Sequence, residues 1–154
     1  MDKTTKQQLE ELFTYHCFTI TQTGESHTIS FIIKNEAIVP VILADGIEMK
    51  LNQYISFALN AAHENDADAI VLLGEQFMVK GKKDDASIQK VLSGDILPSE
   101  HPDKEEYLVL SYMTAEGETH LLFGKVKTDI VGTRYVSNQQ WIHNAATSVL
   151  VPWK

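Results

Sequence analysis

Between Ala67 and Gly81 the chain reads A-D-A-I-V-L-L-G-E-Q-F-M-V-K-G, an apolar run with one acid at its middle. As an extended strand this run puts Val71, Leu73, Glu75, Phe77 and Val79 on one face. A carboxylate among four large apolar neighbours has to be hydrogen-bonded, paired or neutralised, because burying it bare is costly. Glu75 is therefore the strongest pointer to a site in this chain. Gly74 keeps a second reading open: a glycine inside a strand often marks a bulge, and a bulge would shift the parity and turn Glu75 to solvent.

Elsewhere the pattern predicts helices and strands in which hairpin-like neighbours outnumber strand–helix–strand alternations. Thr5–Phe13 reads as a short helix, with Thr5 and Gln8 at capping-box spacing and Leu9, Leu12 and Phe13 as its stripe. Phe18–Gln22 and Thr28–Lys34 read as strands joined by a turn at T-G-E-S. Ala37–Leu43 reads as a third strand after the polar break at Lys34-Asn35-Glu36, and Pro40 assigns it to an edge or a bulge. Asp45 and Glu48 cap the clearest helix, in which Ile47, Leu51, Ile55, Ala58 and Ala62 recur at steps of three or four as far as Asn65. Residues 81–104 read as a long polar loop with a helical turn at Ser87–Leu92. Loops of that size in a compact domain are usually functional or disordered.

Glu106–Met113 and Thr119–Lys127 follow as a hairpin turning at A-E-G-E. The first of them is apolar on both faces and so central. The tail from Gly132 carries Trp141 and Trp153 and is read with a helical turn around Gln139–Thr147. This order implies a single α+β domain over residues 1–154, with a largely antiparallel sheet of about five to six strands and helices on one face.

Composition narrows the function classes. The 154 residues, 44% hydrophobic and 22% charged, fit an ordinary globular domain. No apolar run approaches the roughly 18 residues of a membrane span, and the polar start is unlike a signal peptide. Cys17 is alone, so no internal disulfide can form. The expected compartment is the cytosol. Net charge is −8, and residues 61–106 hold eleven acids against five lysines. Arg134 is the only arginine. Arginine forks are the usual instrument of phosphate and guanine recognition, which argues against a nucleic-acid partner.

Candidate chemistry is sparse. Ser99-Glu100-His101-Pro102-Asp103 gathers a hydroxyl, an imidazole and two carboxylates, the ingredients of nucleophile, base and orienter. A plain turn explains the same residues. No two histidines stand at metal-ligand spacing, and no phosphate-cradling motif occurs. A metal site would have to be assembled in space from Glu75, His101 and Asp103; no metal and no cofactor is expected. Cys17 reads as a small buried hydrophobe.

Glu75-Gln76-Phe77 followed by His101-Pro102-Asp103-Lys104-x-Glu106 resembles a group of uncharacterised small bacterial and phage proteins. They share a Glu-x-aromatic strand end and a downstream proline/acid/basic/x/Glu segment. The resemblance spans about residues 47–114, with Phe77 where tryptophan is usual. It implies that Glu75, His101, Asp103 and Glu106 lie near one another, and it suggests an accessory protein of mobile elements. The leading expectation is a non-enzymatic accessory protein, a homo-oligomer, binding a small ligand or a protein partner beneath the 81–104 loop with Glu75 at the floor. The rivals are a hydrolase or other acid–base enzyme using Glu75, His101 and Asp103, and an interaction module using the C-terminal tail.

Overall fold

A computed structural model describes residues 1–42, 51–79, 81–82 and 84–145. The first element is α1, Lys3–Thr23, capped by Asp2, which accepts from the Thr5 N–H, and ended by Gly24 in the left-handed conformation at φ 84°. It absorbs both the short helix and the strand expected at Phe18–Gln22. The threonines that suggested a strand turn their hydroxyls back on the helix: Thr19, Thr21 and Thr23 donate to the carbonyls of Tyr15, Cys17 and Thr19. With those groups satisfied locally, the helical stripe of Leu9, Phe13 and Ile20 decides the conformation.

Strands β1 (Ile29–Lys34) and β2 (Ala37–Val41) form a tight hairpin. Its turn residues, Asn35 and Glu36, both have positive φ, at 50° and 68°. Helix α2 (Leu51–Glu64) leads to β3 (Ala69–Met78). The Asp45 cap, Glu48 and Ile47 fall outside the described residues. The polar segment then carries α3 (Ala86–Leu92) and a 3-10 turn at Pro98–Glu100. Strands β4 (Glu105–Thr114), β5 (Thr119–Thr128) and β6 (Arg134–Ile142) complete the chain order. The sheet runs β2-β1-β3-β4-β5-β6, with every neighbouring pair antiparallel. The α+β class and antiparallel sheet agree with the sequence. Pro40 lies on an edge strand, and β4 is central.

Two expectations are corrected. Where a helical turn was expected from Gln139, the chain is edge strand β6 as far as Ile142, so this part of the tail belongs to the sheet; residues 146–154, Trp153 among them, lie outside the described residues. The helices do not share one face. Helix α1 covers Val71, Leu73, Leu108, Leu110 and Leu122, whereas α2 packs through Ala58 on Ile70, Leu72 and Met113. The reason is legible in β3: residues 69–74 are all buried, and a strand apolar on both sides needs cover on both sides. Tyr54 ties α2 to the hairpin, its hydroxyl accepting from the Ser30 N–H at 2.9 Å and donating to the Val41 carbonyl.

Candidate functional site

The pairing of β3 with β4 runs unbroken from Ala69↔Thr114 to Met78↔Glu105. There is no bulge at Gly74, so Glu75 stays on the face of Val71 and Leu73, beneath α1. Gly74 has another reason to lack a side chain: a Cβ there would lie 2.6 Å from Thr28 Oγ1 and 3.2 Å from its Cα. The glycine marks a close crossing of the chain.

Arg134 reaches over this face from the start of β6. Its Nη1 is 3.2 Å from Glu75 Oε1 and its Nη2 is 2.9 Å from Glu106 Oε1. Nη1 also donates to the Gly24 carbonyl at the end of α1. One guanidinium thus joins three elements and the helix terminus. Neither carboxylate contact is well directed. Glu75 Oε1 and Arg134 Nη2 are buried yet in hydrogen-bond alignment with nothing, and Ser26 Oγ shares that condition. We read the two pairs as attraction between charges rather than as formed hydrogen bonds. Burial raises the Glu75 carboxyl above its ordinary range; Arg134 opposes the rise, while Glu106 and Glu25 add to it.

His101 is buried, 2% exposed. Its Nδ1 accepts the Asp103 backbone N–H at 3.0 Å, so a neutral ring carries its hydrogen on Nε2, which is buried without a partner. Asp103 itself is exposed and meets the imidazole through its backbone. An orienting carboxylate would instead face a ring N–H. Lys104 lies over the Phe77 ring at 5.2 Å and donates to the Ser99 carbonyl, tying the segment to the end of β3. The structure therefore brings Glu75 and Glu106 together through Arg134. Among the described residues no hydrogen bond or ion pair links either acid to His101 or Asp103.

A second polar cluster occupies the opposite end of the same face. The β4–β5 register sets Tyr112 opposite His120, and extending the Leu121↔Ile142 pairing by one residue brings His143 beside His120. His120 Nδ1 is 2.9 Å from His143 Nδ1, and His120 Nε2 is 2.8 Å from Glu118 Oε1. Trp141 stacks on His143 and donates its Nε1–H to Glu10 of α1. These histidines went unnoticed in the sequence because their contact depends on β6 being a strand. The signal that could have found them is Glu118-x-His120 at strand spacing, on the side that carries Leu122.

Among the described residues no group of three or more His, Cys, Asp or Glu is set to hold a metal ion, and no helix is long and apolar enough to cross a membrane. Burial pushes the Cys17 thiol up to about 11, which leaves it a poor nucleophile. Clefts among the described residues lie between α1 and the β1–β2 hairpin (about 510 Å³), on the β4–β6 sheet face and between α1 and β6. None of them is lined by Glu75 or His101. No protein-family model, no curated protein and no solved structure matches the chain.

Proposed function

We propose that the protein is a binding protein whose site lies where the 81–104 segment meets the sheet, with Glu75 and Arg134 as the groups that meet the ligand. The observation supporting this most strongly is that, among the described residues, three of the four buried polar atoms without aligned hydrogen-bond partners, Ser26 Oγ, Glu75 Oε1 and Arg134 Nη2, belong to this end of the sheet, the fourth being His101 Nε2. Buried polar groups are nearly always paired, so each exception asks for a reason. Here the Glu75 acceptor and the Arg134 donor are held in ion pairs, at 3.2 Å from Arg134 Nη1 and 2.9 Å from Glu106 Oε1, without full hydrogen-bond alignment. A fitting ligand gives an N–H or O–H to Glu75 and an oxygen to Arg134, the chemistry of a small amide or amino-acid head group. Three acids, Glu25, Glu75 and Glu106, act around the one arginine, which favours a cationic donor. A partner protein offering the same head group would be read by the same atoms.

Thermal unfolding in the presence of amino acids, small amides and amines tests this. A ligand at a hundred times its dissociation constant stabilises by about 2.7 kcal/mol, a shift of several degrees. The shift is expected in the wild type and lost in both Glu75→Gln and Arg134→Lys. The reading fails if no compound of this class shifts the wild type, or if the shift survives both substitutions. Binding that persists after a short turn replaces residues 81–104 would reject the part assigned to that segment.

A further inference from the structure

At the far end of the sheet from Glu75, Glu118, His120 and His143 form one hydrogen-bonded line. Their partners set the proton positions. The Glu118 carboxylate only accepts, so His120 carries a hydrogen on Nε2. In a neutral His120 the Nδ1 is then an acceptor, and His143 must donate from its own Nδ1. His143 Nε2 is left as a bare lone pair on an exposed residue, while His120 behind it is only 4% exposed. Trp141 lies parallel to the His143 ring, with centroids 5.6 Å apart and planes within 9°, and holds its orientation.

We propose that this line is a proton relay and that His143 is the general base of a second site, acting on a small neutral or cationic substrate or on water attacking a neutral ester. In the step, the attacking O–H gives its proton to His143 Nε2 and keeps the electron pair as nucleophile. The His143 Nδ1 hydrogen passes to His120 Nδ1, and the positive charge rests on His120 against the Glu118 carboxylate. Reversal of the same path returns the proton to the leaving group. His143 is the catalytic residue; His120 and Glu118 are positioning residues. The charge preference comes from the surroundings. Burial raises the Tyr112 phenol beside His120, and Asp2, Glu118, Asp68 and Glu116 raise it further, so this end repels anions. Lys6, 6.0 Å over Trp141, is the nearby counter-charge. Nothing here depends on the ligand proposed for the other end.

Two measurements on the full chain test the relay. Nitrogen-15 NMR of the imidazoles at neutral pH should find His120 as the Nε2–H tautomer and His143 as the Nδ1–H tautomer. Hydrolysis of p-nitrophenyl acetate should fall about a hundredfold in His143→Ala, the low end for general-base catalysis. In Glu118→Gln, whose amide oxygen still accepts the Nε2–H but no longer offsets the positive charge on His120, it should fall by about tenfold with the tautomers kept. The proposal is overturned if His143 is the Nε2–H tautomer, or if His143→Ala hydrolyses the ester at the wild-type rate. A Glu118→Gln variant that melts lower but keeps the wild-type rate would also overturn it, because that is the mark of a merely structural pair.

Discussion

The two ends of the α1-covered face solve the same problem in opposite ways. Each must hold carboxylates next to a packed core. Around Glu75 the solution is a single guanidinium shared between Glu75, Glu106 and the Gly24 carbonyl, with buried atoms left unaligned. Around His120 it is a line in which each ring nitrogen of the buried histidine has one well-placed partner. The first arrangement depends on one residue and is electrostatically crowded. The second is ordered and leaves its only free nitrogen at the surface. A group held without its hydrogen bonds is where a ligand gains most by binding; a fully directed line is where a proton is best moved.

Removing the shared cation should break the comparison most violently. Arg134→Met leaves Glu75, Glu106 and Glu25 without their counter-charge and the end of α1 without a donor. The expected loss is about 3 kcal/mol, the lower end for breaking a buried ion pair, since the Arg134 side chain keeps 23% of its exposure. Urea unfolding at neutral pH measures it, and the deficit should shrink as the acids are protonated. Equal stability would mean the carboxylates find water as easily as they find the arginine.

The opposite end should be more forgiving. His120→Leu removes two hydrogen bonds, but Glu118 and His143 are exposed enough to turn to solvent. The expected loss is about 1–2 kcal/mol by the same denaturation. A loss larger than that of Arg134→Met would reverse the ranking and make the histidine line the structural keystone.

What was legible in the sequence tracks the strength of local pattern. Glu75 stood out because it is the one acid at the middle of an apolar run, and the unbroken register kept it on the face of Val71 and Leu73. The hairpin at A-E-G-E and the edge position of Pro40 followed from turn chemistry and from a missing N–H. Arg134 was visible only as a lone arginine. Its meaning depends on β6, and R-Y-V-S-N-Q-Q-W-I hides its strand character, because an edge strand only partly covered by α1 needs little apolar alternation. The contacts of Arg134 and His143 were missed for that one reason, since the two residues reach the clusters only once β6 pairs with β5. Phe18–Gln22 failed differently: threonine favours strands on average, but a hydroxyl four residues from a free carbonyl can be satisfied within a helix.

The smallest expected effect separates the two ends most sharply. In the folded protein burial lifts the Glu75 carboxyl above its ordinary range, with Glu106 and Glu25 adding to the lift and Arg134 only partly opposing it. Between the unfolded and folded values the native state therefore binds more protons, so this group's contribution to stability falls as pH rises through that window. Above it, the ionised Glu75 is a net burden. Glu75→Gln should accordingly be more stable than the wild type at neutral pH, by about 1 kcal/mol, the scale seen when a strained functional group is relieved. For a chain of this size that is roughly 2–4 °C in midpoint. At pH values below about 4, where an ordinary glutamate is protonated in both states, the advantage should vanish. A variant less stable at neutral pH would mean that attraction to Arg134 outweighs desolvation. The loop end would then be a satisfied structural pair, and the case for a ligand there would lose its ground.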